Sequence, residues 1–271
     1  MSQEVINKYK DLSEVRVLSS WDCANFDLAE ILIENKKDGS ILVLIPGGKF
    51  LAGDPPFEIE LPAFYASLTT VTNVQYVRFL NAARPGKEEL EKWIRLDRNC
   101  FIRTLPKSGY EAYGNKPNHP VVQVSWYGAQ AYCQWAGGCL PTELEWEKAA
   151  RFTDGRIYPW GNRWSVALCR NTKSKSQDKT HLVFDYPKGA GPWGLYQMSG
   201  NVWEWCADWY DSDAYNRYKA GNLTLPASGR DRVLRGGSWI NNADYCRTAC
   251  RYYDYPTNRY YSYGFRLFLN L

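Results

Sequence analysis

Helical periodicity in this 271-residue chain stops at Arg151, so its second half cannot be a helical bundle. Before that point three segments carry helix signals. The run 71–94, VTNVQYVRFLNAARPGKEELEKWI, places Thr72 ahead of Asn73, spaces its apolar residues helically and carries Arg-Pro-Gly as a stop signal. Ser125 caps 126–138, where Ala129, Tyr132, Cys133 and Ala136 form one apolar stripe and Gly137-Gly138 end it. Thr142 is a good N-cap for 140–151, and Glu145 three residues on completes a capping box. Beyond Arg151, Gly, Pro, Trp, Tyr and Asn dominate, with short strand candidates at 202–206, 232–235 and 264–269. Upstream, ILVLIPGGKFLAGD (41–54) reads as a hairpin, an apolar strand, a Pro-Gly-Gly turn and a second short strand. The expectation is one loop-rich α+β domain of short helices and short antiparallel strands over about 41–271. Residues 1–40 are read as an N-terminal extension or lead segment.

Composition narrows the function classes. Apolar content of 45% and charged content of 23% are ordinary for a globular domain. A net charge of +4 with no Lys/Arg run argues against a nucleic-acid partner. No apolar stretch approaches the ~18 residues that would span a membrane. The N-terminal residues lack the charged and apolar regions of a secretion signal, so the expected location is cytoplasmic, or a phage or cell surface reached by another route. Eight cysteines (23, 100, 133, 139, 169, 206, 246 and 250) are scattered without zinc-ribbon spacing, and His119 and His181 are the only histidines. Free, mostly buried thiols are expected.

One segment departs from the rest. Ile240 to Tyr263, INNADYCRTACRYYDYPTNRYYSY, contains seven Tyr in 24 residues and no Lys, Glu, Gln, Met or Trp, although those five types supply 50 of the other 247 residues. Tyr gives large amphipathic contact area at low rotamer cost, and Asn, Ser and Asp give adaptable hydrogen bonds, which is the composition of an antibody paratope. So many partly exposed tyrosines form an apolar liability unless something binds them.

Six collinear stretches carry a resemblance: LIPGGKFLAGD (44–54), FYASLTTVTNVQYVRFLN (64–81), HPVVQVSWYGAQAYCQWAGGCLPTELEWEKAAR (119–151), YPWGN (158–162), GLYQMSGNVWEWCADWY (194–210) and RVLRGGSW with GFRL (232–239, 264–267). Over residues 41–269 the chain resembles the formylglycine-generating-enzyme (sulfatase-modifying factor) superfamily, a version of the C-type lectin fold. The resemblance implies that Arg235 and Arg266 tie the ends of the Tyr-rich segment to the core, and that Trp203, Glu204 and Trp205 are core. The family's oxidases hold copper with two cysteines five residues apart after the GGS motif, a chemistry suited to Cu(I). The matching positions here are Asn241 and Cys246, with Cys250 in another register, so an oxidase is not expected. Two histidines cannot supply the cluster of the family's non-haem iron branch. Asn201, Val202 and Glu204 match a stretch that can hold a structural calcium. No other cofactor is expected.

Within this superfamily the frame GGSW…A..CR.A.R….P.NR….GFRL resembles the variable proteins of diversity-generating retroelements. In such systems AAC or AAT codons are randomised at their first two bases, which never yields Lys, Glu, Gln, Met or Trp. That set is the one absent from 240–263. The resemblance implies that Ala243, Cys246, Arg247, Ala249, Arg251, Pro256 and Arg259 are scaffold. It makes Ile240, Asn241, Asp244, Tyr245, Cys250, Tyr252, Tyr253, Asp254, Tyr255, Tyr260, Tyr261, Ser262 and Tyr263 a side-by-side exposed ligand-binding surface, its backbone held by Arg247, Arg251 and Arg259. The partner would be a protein, peptide or glycan of variable identity. The alternatives are a copper-dependent formylglycine-generating oxidase and a fixed-specificity lectin.

Overall fold

The computed structural model describes residues 15–17, 32–174 and 179–271. Cys23 and most of the lead segment lie outside the described residues. In chain order the elements are β1 (Val15–Val17), β2 (Leu32–Asn35), β3 (Ile41–Ile45), β4 (Gly48–Ala52), β5 (Phe57–Leu61), β6 (Phe64–Ser67), α1 (Asn73–Ala83) and α2 (Lys87–Trp93). Then come β7 (Ile102–Thr104), β8 (Tyr110–Ala112), α3 (Trp126–Trp135), α4 (Glu143–Arg151), β9 (Trp203–Trp209), α5 (Ala214–Lys219), β10 (Arg232–Arg235), β11 (Arg251–Asp254), β12 (Tyr263–Gly264) and β13 (Phe268–Asn270). A five-stranded sheet runs β1-β2-β3-β6-β13, and a four-stranded sheet runs β11-β10-β9-β12. The pairs β4–β5 and β7–β8 stand apart as hairpins.

The helix starts lie where their capping residues predict. Thr72 and Thr142 accept from the backbone N–H of Gln75 and Glu145, whose side chains return the bond, and Ser125 accepts from Gly128. The run 71–94 divides in two, because Arg84 takes a left-handed conformation (φ 47°) and Pro85-Gly86 restarts the chain as α2. The stripe Ala129, Tyr132, Cys133 and Ala136 is fully buried against Tyr76, Phe79 and Phe265.

The 41–54 hairpin does not form. ILVLI is an uninterrupted apolar run, buried at four of its five positions, and it becomes the central strand between β2 and β6. Pro46-Gly47 instead turns a corner into the separate β4–β5 hairpin. Lys148 of α4 closes that corner, its Nζ donating to the carbonyls of Pro46 (2.7 Å) and Gly48 (3.0 Å). The domain also starts before residue 41. Leu32 and Ile33 are core, Asn35 donates to the carbonyl of Ala136 at the end of α3 (2.8 Å), and Tyr132 donates to buried Asp38 (2.5 Å).

Of the later strands, 232–235 is as expected and 202–206 runs on to Trp209. The segment 264–269 is two short strands in two different sheets, with Arg266 at the crossover between them. Replacing Thr142 with Ala removes the hydroxyl that caps the Glu145 N–H while keeping the backbone N–H that bonds the Glu145 side chain, so urea denaturation should show a loss of about 1 kcal/mol.

Candidate functional site

The Tyr-rich segment is held from beneath by two arginines with no solvent exposure. Arg235, at the end of β10, reaches Glu147 of α4 (2.6 Å) and donates to the carbonyls of Thr248 (3.0 Å), Ala249 (3.2 Å) and Cys250 (2.8 Å). Glu147 also accepts from Arg151, Tyr215 and the Gly53 N–H. Arg266 makes a two-pronged pair with Glu204 of β9 (2.7 and 2.8 Å) and donates to the carbonyls of Ser67 and Tyr196. The indole of Trp146 donates to the same carboxylate (2.8 Å). Both arginines therefore tie the ends of the segment to carboxylates and carbonyls, as expected.

Two of the three frame arginines also hold the segment. Arg251 makes a two-pronged pair with Glu143 (2.7 and 2.8 Å), and Arg247 reaches Asp54 (2.5 Å). Arg259 does not. Its Nε is buried without a hydrogen-bond partner. The loop itself packs closely on Gly237 (φ 73°), where a Cβ would lie 2.8 Å from the Tyr245 carbonyl and 3.1 Å from the Cys246 sulfur.

Over this base lies an open hollow of about 470 Å³. It is lined by Ile240, Asn241, Tyr245, Tyr252, Asp254, Tyr260, Tyr261, Ser262 and Tyr263, all expected, and by Trp203, which sequence reasoning placed in the core. Tyr252 stacks on the Trp203 ring at 5.2 Å, so a residue read only as core forms the floor of the hollow. Asp244, Cys250, Tyr253 and Tyr255 lie outside it. Tyr253 stacks on Tyr210 at 4.0 Å and on Tyr252 at 6.0 Å, so the row of rings that begins at Trp203 continues beyond the hollow.

The thirteen residues are not uniformly exposed. Tyr245, Tyr252, Tyr253, Tyr255 and Tyr260 are 40–47% exposed, whereas Tyr263 is 6% and Ser262 4% exposed. The reason is β12, which pairs in parallel with β9 and sets Tyr263 opposite Trp203, its ring edge-on to Trp205 and its hydroxyl donating to Asp254 (2.9 Å). Burial and the Asp254 carboxylate raise the Tyr263 hydroxyl pKa well above the usual phenol range. Cys250 is half-buried against the core.

The model of the Sulfatase-modifying factor enzyme 1-like domain matches residues 29–271. The chain belongs to this family. It is 38% identical to the formylglycine-generating enzyme of Thermomonospora curvata, covering 83% of this chain and 92% of that one. It is 39% identical to the serine/threonine-protein kinase pkn1 of Chlamydia caviae over 83% of this chain, and it spans 37% of that relative's length. Among solved structures, Treponema denticola variable protein 1 superposes with a TM-score of 0.67 at 22% identity, covering 95% of this chain and 99% of that one.

In this sulfatase-modifying-factor-like domain the residues present do not fit a two-thiolate copper site. The Asn241 amide oxygen accepts from the N–H (3.0 Å) and hydroxyl (2.6 Å) of Ser238, closing the turn after the GGS motif. Cys246 is fully buried, and contact with the Cys169 thiol together with burial raises its pKa well above the thiol range. Asn201, Val202 and Glu204 do not fit a calcium site either. The Glu204 carboxylate is occupied by Arg266 and Trp146, and the Asn201 side chain bridges His181 and Gln197. Among the described residues, no group of three His, Cys, Asp or Glu could hold a metal ion. His119 is a buried loop residue hydrogen-bonded to Thr180 (3.0 Å).

One buried acid gives this scaffold a pH signature. Asp208 accepts the Glu143 N–H at the start of α4, and burial, then the charge of Glu143, raises its pKa to about 8. The folded state thus keeps a proton that the unfolded chain releases near pH ~4. The stability this confers is complete below that value and is lost as pH rises through about 8. Asp208→Asn, a mimic of the protonated acid, should flatten that decline in urea titrations across the window and leave the low-pH stability nearly unchanged.

Proposed function

We propose that this protein is a non-catalytic binding protein whose Tyr-rich surface is diversified by retroelement mutagenesis while the scaffold stays constant. Its ligand would be a protein, peptide or glycan. The observation that supports the reading is the hollow. Side chains of the paratope type converge there, on a backbone held by buried arginine pairs that use none of those side chains. The exposed positions among them, such as Tyr245, Tyr252 and Tyr260, can vary at little cost, because cores feel single methylenes and exposed sites do not. The set of residue types absent from 240–263 is what randomised AAC and AAT codons leave out, and the fold is shared with a protein named for its variability. A near-identical template copy beside a reverse-transcriptase gene in the neighbouring DNA is the genetic counterpart to look for.

Stability measurements test the division of labour. Tyr→Ser at 245, 255 and 260 should each cost within about 0.5 kcal/mol. Tyr263→Ser empties a core position and should cost about 3 kcal/mol or more. Collapse of the triple variant would make those tyrosines core and end the ligand-binding reading.

The second reading is a copper-dependent formylglycine-generating oxidase, favoured by 38% identity to such an enzyme over most of both chains. With Asn241 closing a turn where a thiolate would stand, incubation with Cu(I) and a Cys-containing sulfatase-type peptide should leave the peptide mass unchanged. Conversion of that Cys to formylglycine would establish the enzyme. A fixed-specificity lectin would show one sugar preference shared by all sister sequences.

A further inference from the structure

The hollow has a chemical bias of its own, and this inference rests on its being the binding surface. Of its lining residues Asp254 alone is charged. The Asp254 carboxylate is held by neutral donors only, the Tyr255 N–H (2.8 Å), the Asn258 amide (2.6 Å) and the Tyr263 hydroxyl (2.9 Å), with no ion pair among the described residues. Its negative charge is therefore uncompensated. Around it stand the rings of Tyr245, Tyr252 and Tyr260 above Trp203, whose faces are negative in their quadrupole.

Tyrosines near the hollow show what such rings take up. Arg230 lies over Tyr255 at 5.2 Å, Arg251 over Tyr210 at 4.9 Å, and Lys179 over Tyr261 at 5.1 Å on one rim. Among the described residues no cation sits over Tyr245, Tyr252 or Tyr260. A sugar hydroxyl could also use Asp254, but the Asn241 amide oxygen that would assist it is already committed to Ser238, and a neutral hydroxyl leaves the carboxylate charge unanswered. A guanidinium suits the remaining chemistry better, since it stacks on aromatic faces and pairs with a carboxylate at once. The volume of about 470 Å³ leaves room for an arginine side chain.

We propose that the hollow takes an arginine side chain presented by a partner protein, its guanidinium stacked among Tyr245, Tyr252 and Tyr260 and directed at Asp254. The probe is a blocked Gly-X-Gly tripeptide with X as arginine, citrulline, norleucine or glutamate, titrated into the full chain by nuclear magnetic resonance. The arginine peptide should bind about tenfold more tightly than its neutral isostere citrulline, and more weakly as salt rises. Tyr252→Leu, which keeps apolar bulk, and Asp254→Asn should each remove that preference. The Tyr252→Leu variant serves alone if Asp254→Asn does not fold. Equal binding of citrulline, no arginine binding at about 10 mM, or a preference unchanged by Tyr252→Leu would each overturn the inference. Neutral peptides whose binding is lost with Tyr252→Leu would overturn the cation and keep the binding surface, whereas the triple tyrosine replacement judges the surface itself.

Discussion

A guanidinium taken out of water and left unpaired costs several kcal/mol, and this fold buries two of them completely, Arg235 and Arg266. Each is matched by a carboxylate as deeply buried, Glu147 and Glu204. Apart from the Arg235 Nε, which is buried without a partner, their other donors go to backbone carbonyls of chain that belongs to no regular element or lies at a strand end. Such pairs seldom add net stability over an apolar core, but they are directional. The loop at 248–250, fixed by three directed bonds from Arg235, keeps one shape where apolar contact alone would allow several. The regular half of the molecule supplies Glu147 from α4 to Arg235, whereas Arg266 finds its carboxylate, Glu204, within the irregular half.

This arrangement separates the groups that hold the fold from the side chains that face solvent. Arg235 holds residues 248–250 through their carbonyls, so the identity of those side chains matters little to the bonds. Pairing of β10 with β11 fixes Tyr252 and Tyr253 in the same way, through backbone. The exposed rings can therefore change without loss of the frame. Where side chains do enter the fold, as with Tyr263 between Trp205 and Asp254, freedom to vary is lost.

The family's enzymes and this chain share a scaffold and part at a few atoms. At the position of one copper thiolate, Asn241 accepts two hydrogen bonds from Ser238, and it contributes to the shape of the hollow. The second position, Cys246, has turned inward against Cys169. Where a two-thiolate site would need soft ligands pointing at one metal, this chain has a turn and a core contact.

Much of this was legible in the residues themselves. Thr72, Ser125 and Thr142 announced their helices because capping is local, settled within four residues by one side-chain oxygen. The aperiodic second half and the paratope-like composition of 240–263 were equally plain, as was the loss of a thiolate at Asn241. What tertiary structure alone decided depends on partners distant in sequence. ILVLI became a central strand because β2 and β6 were there to pair with it; its uninterrupted apolar run fits a strand buried on both faces but does not name the partners. Tyr263 and Ser262 look like their exposed neighbours in sequence, yet a parallel pairing with β9 buries them. Glu204 reads as a possible calcium ligand until Arg266, sixty-two residues on, takes its carboxylate. The residue types were determined by sequence, but which of them face solvent was determined by where the chain returned to meet itself.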